Sequence, residues 1–480
     1  HRPMAEPIAP SVRPAVAERA ARVRFRRALT LMAFTLLVPG SAQLLAGNRR
    51  LGLVAVRIWI GLLAAGAVTL GIVLAHRPFG YWLISNTDVL LLVRIGLFAA
   101  AIGWAALFFD AWRIGQPLSL RLPHRRAAVG VNGILCFSVA GTLLFGAHLV
   151  GVQRDFLITL FGDGEVTAAH EGRFNVLLMG GDSGAGRWGL RPDSMTVASI
   201  DADSGRTVLI GLPRNMAGFP FREDSVMAEQ FPDGFDCEGC YLNGVSTWAQ
   251  DSPELFEDPE TAGTDATIMA VEGITGLSIN YWAMVNLDGF KKLVDAVGGV
   301  TLTVRQPIPV GGLGDDVTGY IEPGTRKLNG FETLWYARAR EGSDDYSRMA
   351  RQKCVMNAFL EQVSPRKALT NFESLATAGS EMFSTNLPMS EVDRFIDLAL
   401  RAKSQKMSTL SLVPPLVNTG DPDIELIHAE VAEAIDRAEG DAPPPAKKPR
   451  KAPDAVTGGS IGSLSEGYAA NQADDLSAAC

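Results

Sequence analysis

The chain has 480 residues, 47% of them hydrophobic, a formal net charge of -8 at pH 7 and five cysteines. That length leaves room for more than one domain. The mild acidity excludes a domain-wide basic face for nucleic acid, though not a local anion site.

Residues 1–27 carry Arg2, Arg13, Arg19, Arg22, Arg24, Arg26 and Arg27 and read as a basic cytoplasmic N-terminus. Residues 28–151 are far more apolar than the rest. Three runs, 53–75, 88–110 and 128–151, reach the roughly 20 residues needed to cross a bilayer. An earlier run at 29–46, LTLMAFTLLVPGSAQLLA, is broken by Pro39-Gly40 and fits a re-entrant or interfacial segment better than a span. Basic residues test this. Arg49 and Arg50 follow the broken run, and Arg113, Arg121, Arg125 and Arg126 fill the loop before the third span, whereas residues 76–87 hold only Arg77. If 29–46 does not cross, every basic segment lies inside, as such loops prefer. If it crosses, the 113–126 loop lies outside, against the rule. The expectation is a multi-pass plasma-membrane protein with three spans and everything after residue 152 extracellular. In that oxidising setting, CEGC reads as a small disulfide, Cys237–Cys240, bracing a loop. Two cysteines are too few for a zinc site.

Residues 152–171 read as a linker, and from about 172 the apolar period changes. RFNVLLMGG (173–181), SMTVASID (194–201) and RTVLIGL (206–212) predict strands, with Asp203-Ser204-Gly205 as a turn. TDATIMAVEGITG (264–276) has helical spacing, YWAMVNL is a strand, LDGFKKLVDAVGG a helix ended by glycines, and GVTLTV a strand. LNGFETLWYARAR and DYSRMARQKCVMNAFLEQV predict helices on either side of Glu341–Ser343. Helices at 366–378 and 389–402 precede the strand STLSLV. The alternation predicts an α/β (α+β) domain over 172–416, a mixed central sheet covered by helices. A helical extension at 417–436 and a disordered tail at 437–480, rich in Pro, Gly and charge, complete the chain.

Glycine-rich GGDSGAGRWG lacks the spacing and lysine of a phosphate-binding P-loop. A plain turn is the simpler reading, but LRPDSM follows it. Asp182 ends one strand and Asp193 starts the next, so the two carboxylates can share Mg²⁺, which takes one or two carboxylates and fills its other positions with water and phosphate. For a lone Asp pair, turn and cap roles are the plainer alternative. Arg191, Arg214, Arg338 and Arg340 stand at strand and helix ends, which converge on one rim of an α/β sheet. The planar guanidinium fork suits phosphate oxygens. Arg348 and Gln352 share a helix face, with Arg351 nearby. Asp345 is placed to orient an arginine or to act as a base.

In order, NVLLMGGD, LRPDSM, LIGLPRN, LNG and LWYARAREGSDDYSRMARQ resemble the LytR–CpsA–Psr family over roughly 172–365, and loosely to about 415. CEGCYLNGV and the ending DDLSAAC are similar to actinobacterial members. The resemblance implies an extracellular α/β domain with an apolar groove for a polyprenyl chain. It implies transfer of a glycopolymer, with its linking phosphate, from a polyprenyl diphosphate carrier to peptidoglycan, with Mg²⁺ at the diphosphate. By motif match, Asp182 and Asp193 would hold the metal, and Arg191, Arg214, Arg338 and Arg340 would clamp phosphates. Asp345, Arg348 and Gln352 would complete the pocket, with Asp345, Arg338 and Arg340 as the catalytic set. One departure is Asn215, where many members have Asp; it cannot serve as a base, which favours Asp345. Rival readings are a non-catalytic polyprenyl-phosphate binder, a pyrophosphatase using water as acceptor, and the transcription attenuator of the family's older naming, which lacks any DNA-reading motif. TIMAVEGI and FKKLVDAV offer groove-lining residues, core packing being the role expected for most. Cys354 is expected as a buried thiol, with a bridge to Cys480 as the alternative.

Overall fold

The computed structural model describes residues 13–116, 120–161, 165–182, 191–312, 316–340, 345–362, 383–440, 471, 476 and 480. It divides into two compact units, residues 1–154 and 155–480.

The first unit is helical: α1 (Arg13–Leu37), α2 (Ser41–Ala46), α3 (Arg49–Ala75), α4 (Arg77–Ser85), α5 (Thr87–Ile114) and α6 (Leu122–Leu160), the last continuing into the second unit. Asn48 and Asn86 cap α3 and α5 by accepting backbone N–H bonds in their first turns. α3, α5 and the Leu122–Ile158 stretch of α6 are long and apolar enough to cross a membrane. The chain breaks at Pro39-Gly40, between α1 and α2. Gly40 has φ +92°, and a Cβ there would lie 2.6 Å from Ala55 Cβ; one on Gly52 would lie 2.6 Å from Leu44 N. The short helix therefore packs backbone to backbone on α3. Gln43 donates to Leu107 O (3.0 Å) and Trp104 to Thr35 O (3.0 Å), holding the break against α5.

The second unit is built on a mixed six-stranded sheet. β1 (Arg173–Asp182), β2 (Arg191–Asp201) and β3 (Thr207–Leu212) form an antiparallel meander. Its second turn is the predicted one: Gly205 takes φ +75° and Ser204 N donates to Asp201 Oδ1 at 2.6 Å. Then come α7 (Val226–Gln230), α8 (Val245–Gln250), α9 (Ala262–Thr275), β4 (Tyr281–Asn286), α10 (Leu287–Ala296), β5 (Val300–Val304), β6 (Ile308–Val310), β7 (Gly319–Ile321), β8 (Gly324–Leu328), α11 (Gly330–Arg338), α12 (Asp345–Gln362), β9 (Phe383–Thr385), α13 (Val392–Ala402), β10 (Ser408–Ser411) and α14 (Ile424–Glu439). The sheet order is β10-β3-β2-β1-β4-β9, with β4 parallel to β1 and β10 parallel to β3. β5 pairs with β8, and β6 with β7.

Side chains alternate across the strands. Leu177, Met179, Val197, Val208 and Ile210 join the main core with Ala270 and Ile274 of α9 and Ile427 and Val431 of α14. The alternate residues, among them Val176, Leu178, Ala198 and Leu209, face an apolar cavity of about 580 Å³ that α10, α11, α12 and α13 also line.

Several expectations change. The 152–171 linker is helical through Leu160. The extension expected at 417–436 becomes a helix at Ile424–Glu439, which Asp423 starts by capping Leu426 N. The tail expected to be disordered from 437 is helical to Glu439, and Asn471 and Leu476 are fully buried. Cys354 is not a thiol but bonded to Cys480, while Cys237 pairs with Cys240. Of the two segments offered for the groove, α10 lines the cavity through Leu287, Phe290 and Leu293, while α9 packs in the core cluster, the role expected for most of these residues. The helix expected at 366–378, the SGAGRWGL loop at 183–190, and Glu341–Ser343 lie outside the described residues.

Candidate functional site

The site begins with a break in strand pairing. Gly180 pairs with Ser194 but Gly181 with Pro192, so Asp193 has no partner across the ladder. Such a bulge re-aims the extra residue at the end of a strand. Asp182 and Arg191 are cross-strand partners at the same rim. Arg214 lies two residues past the end of β3, and its Nη1 donates to Asp193 Oδ1 at 2.6 Å. No described residue bonds to Asp193 Oδ2.

Two helices supply the rest. α11 starts on a capping box, with Asn329 Oδ1 accepting from Glu332 N and the Glu332 carboxylate accepting from Asn329 N. It ends at Arg338, and Arg340 follows by two residues. α12 starts at Asp345 and projects Arg348 and Gln352 from one face. Arg348, 4% exposed, donates through Nη2 to Asp193 O and to Asp345 Oδ2, both at 3.0 Å. Gln352 accepts from Ser194 Oγ (2.9 Å) and donates to Ala337 O (3.2 Å). Arg351 is fully buried and donates to Tyr336 O (2.7 Å) and to Ala339 O. It thereby satisfies carbonyls that the end of α11 leaves without partners and fastens that end to α12.

Asp345 is the hub of the charges. Its Oδ1 lies 3.4 Å from Arg214 Nε and 4.0 Å from Arg340 Nη1, and its Oδ2 is bonded to Arg348. Neither Oδ1 contact makes a hydrogen bond, and Asp345 Oδ1 and Arg348 Nε are both buried without a hydrogen-bond partner. Buried polar atoms rarely stay so, and a pair of them beside a cavity marks bonding capacity for a ligand. Burial alone would raise the Asp193 carboxyl, but the bond from Arg214 and the charges of Arg214, Arg348 and Arg191 hold it below the ordinary range. Burial likewise pulls the Arg348 guanidinium down to about 10, against the opposing charge of Asp345.

The structure gathers Asp193, Arg214, Arg340, Asp345 and Arg348 into one ion cluster. Asp193, Arg338, Arg340, Arg348 and Gln352 line one end of the apolar cavity. Arg338 also lies over the Trp335 ring, 5.4 Å from its centroid. Arg191 turns instead to Asn243 Oδ1 at 3.2 Å, on the loop that follows the Cys237–Cys240 bridge. Asn215, one residue past Arg214, is exposed. Sequence reasoning missed Ser194, Asn243 and Trp335. Ser194 and Trp335 sit inside quoted motifs, but nothing in their spacing tells a partner from a bystander.

Among the described residues no three His, Cys, Asp or Glu side chains cluster as a metal site. Mg²⁺ does not need three, because one or two carboxylates suffice when phosphate and water complete the shell. Asp193, ionised and with Oδ2 unbonded, fits that role, and Asp182 ends the adjacent strand.

Residues 160–421 match the LytR_cpsA_psr family profile. Biofilm regulatory protein A of Streptococcus mutans is 25% identical over 290 residues, covering 58% of this chain and 64% of that protein. Polyisoprenyl-teichoic acid–peptidoglycan teichoic acid transferase TagV of Bacillus subtilis is 26% identical over 253 residues, covering 52% and 58%. Its crystal structure matches 57% of this chain and 100% of that one, with 22% identity and a TM-score of 0.41. The probable cell wall biosynthesis protein LcpB of Corynebacterium glutamicum is 25% identical over 321 residues, covering 63% and 70%. The chain thus spans under two thirds of the length of the first two relatives. With more than half of its own residues inside the family profile, the chain belongs to the LytR_cpsA_psr family.

Proposed function

We propose that the protein is a Mg²⁺-dependent phosphotransferase that moves a glycopolymer, with its linking phosphate, from a polyprenyl diphosphate carrier to peptidoglycan. One observation carries this reading: the arginine cluster opens directly into an apolar cavity. Three guanidiniums, from Arg214, Arg340 and Arg348, meet two carboxylates, from Asp193 and Asp345, and Arg338 lines the same cavity, so positive charge is in excess there. A ligand with an anionic head and a long apolar tail meets both halves of that surface. The relatives TagV, a polyisoprenyl-teichoic acid–peptidoglycan teichoic acid transferase, and LcpB, a probable cell wall biosynthesis protein, agree with this chemistry.

In this mechanism the arginines bind the diphosphate and stabilise charge on the transferring phosphoryl oxygens. Asp345 orients Arg348, Arg214 and Arg340, and its unbonded Oδ1 takes the proton of the acceptor hydroxyl. The acceptor oxygen bonds to the phosphorus next to the glycan, the bridging P–O bond breaks, and its electrons leave with polyprenyl phosphate. Arg214 holds Asp193 ionised beside Asp182, where the pair would bind Mg²⁺. The metal would add positive charge against the diphosphate. Arg191 and Gln352 complete the pocket, Gln352 by fixing α12 to β2 and α11.

The three candidate spans, and basic residues that would gather on one side of them, support a plasma-membrane location with the site extracellular. The test is product analysis with the full chain in nanodiscs, given a polyprenyl diphosphate-linked sugar, a peptidoglycan fragment and Mg²⁺. A sugar-phosphate adduct that needs Arg340 and Asp193 is expected. Released sugar phosphate without adduct would replace the transferase with a hydrolase, and lipid binding without turnover would leave a binder.

A further inference from the structure

The stretch between α7 and α8, residues 231–244, folds back on the segment that carries Arg214. Its first arm pairs at Phe235, whose N–H donates to Phe219 O (2.9 Å) and whose carbonyl accepts from Gly218 N (3.1 Å). In its second arm Leu242 N donates to Met216 O (2.9 Å) and Asn243 N to Arg214 O (3.0 Å). Phe235 and Leu242 are buried in the main core with Met216 and Phe219. Cys237 and Cys240 lie between the two arms, and their bridge closes the tip. Both arms are therefore fixed against residues 214–219.

Asn243 lies in the second arm and is 5% exposed. It holds two of the site arginines at once. Its N–H donates to the Arg214 carbonyl, and its Oδ1 accepts from Arg191 Nη2 at 3.2 Å. A guanidinium only donates, so the amide oxygen must face Arg191. One residue thus joins Arg191, at the start of β2, to Arg214, two residues past β3. Arg214 in turn donates to Asp193 Oδ1 at 2.6 Å, and Arg191 lies close enough for its charge to help keep that carboxyl ionised.

The chemistry of the acceptor matters as much as its place. Arg191 is exposed and forms no ion pair among the described residues. A carboxylate at position 243 would hold the guanidinium fork equally well but cancel its charge. A neutral amide orients the fork and leaves its positive charge for an anion. A fork held in advance also loses less freedom when a ligand binds.

We propose that Asn243 is a positioning residue for the diphosphate end of the site: from the Cys237–Cys240 loop it fixes Arg191 relative to Arg214, and its neutral amide aims Arg191 without neutralising it. This rests on the reading of the site arginines as diphosphate ligands.

The test uses the full chain in nanodiscs, with Asn243→Ala, Asn243→Asp, Arg191→Ala and the double variant Arg191→Ala/Asn243→Ala. The backbone bond from residue 243 to Arg214 survives each substitution, so the comparison isolates the side chain. Farnesyl diphosphate binding is measured with Mg²⁺ present, beside the thermal midpoint. Phenylglyoxal labelling of Arg191 is followed by mass spectrometry without any ligand. Asn243→Ala should label Arg191 several-fold faster and weaken farnesyl diphosphate binding about tenfold, the scale of one charge-assisted hydrogen bond. Asn243→Asp keeps the shape and the thermal midpoint. It should label Arg191 more slowly than wild type, yet bind the diphosphate as poorly as Asn243→Ala. In the Arg191→Ala background, Asn243→Ala should add little, because the two act as one unit. Unchanged Arg191 labelling in Asn243→Ala overturns the proposal. So do wild-type binding by Asn243→Asp and losses from the two single variants that simply add. If the wild type binds no farnesyl diphosphate while Arg191 labelling still follows residue 243, the positioning stands and the diphosphate reading of the site fails.

Discussion

Asp345 and Lys353 share one helix and face opposite fates. Asp345 is surrounded by Arg214, Arg340 and Arg348 and keeps a buried, unbonded Oδ1 for a ligand. Arg340→Ala should lower kcat/KM by about 10²–10³-fold, the usual effect of removing one donor to transition-state charge, with little change in folding. Equal turnover in the product assay would remove Arg340 from the clamp. Asp345→Asn should be as damaging, because it takes away the base and the anchor of Arg348 together. Lys353 gives a prediction about stability instead. Burial pushes its ammonium from the ordinary 10.5 down to about 7. Between those values the unfolded chain binds more protons than the folded one, so stability rises with pH through that window; below about 7 both states are protonated and the slope disappears. The urea midpoint of the full chain should increase from pH 7 to pH 9, and Lys353→Met should flatten that increase. A wild-type midpoint that stays level would place the ammonium elsewhere. At this scale the motifs announced the arginines and carboxylates that meet at the mouth. They did not announce that Arg191 would bond Asn243, since no local pattern links residues 52 apart in sequence.

Arg351 works at the level of elements. Its bonds to Tyr336 O and Ala339 O tie the end of α11 to α12, so the two helices present Arg338, Arg340 and Arg348 as one surface. Arg351→Leu should cost about 1–3 kcal/mol for each buried carbonyl left unpaired. It should also lower kcat/KM at saturating Mg²⁺, although Arg351 does not line the cavity. A variant that loses stability and keeps full activity would show that other contacts set the arginine geometry. Long strands and helices were legible because burial imposes a period of two or 3.6 over many residues. β6, β7 and β9 were not, because three-residue strands repeat nothing; they exist through pairing, β6 with β7 and β9 with the far earlier β4. The bulge at Asp193 was hidden for the same reason. It is a property of two strands in register, while the sequence shows only LRPDSM. The two amphipathic segments offered for the groove had equal claims by pattern, and topology divided them, sending α9 to the core face of the sheet and α10 to the cavity.

The molecule as a whole joins three helices able to cross a membrane to a unit whose proposed ligand is anionic and apolar-tailed. The decisive feature of the first unit is the break at Pro39-Gly40. α1 is 25 residues long, yet its N-terminal part, AERAARVRFRR, is charged, so only its last turns are apolar. After the break α2 folds back on α3, packed through Gly40 and Gly52. A chain that turns there would return Arg49 and Arg50 to the side of the N-terminal arginines, and three subsequent crossings would carry residue 170 to the opposite side. That parity is what proposes an extracellular site, and it can be measured without any substrate. Alkaline phosphatase, active only outside, and a fluorescent protein, bright only inside, are fused separately after residue 118 and after residue 170. The first junction should give a bright, phosphatase-inactive fusion, since Arg113, Arg121, Arg125 and Arg126 hold that loop in the cytoplasm. The second should give the reverse. If the 29–46 segment crosses, both junctions change sides together, and the site would face a compartment without peptidoglycan. Replacing Gly40 and Gly52 with leucine, which the packing of α2 on α3 forbids, should disturb the first pattern while the second unit keeps its fold.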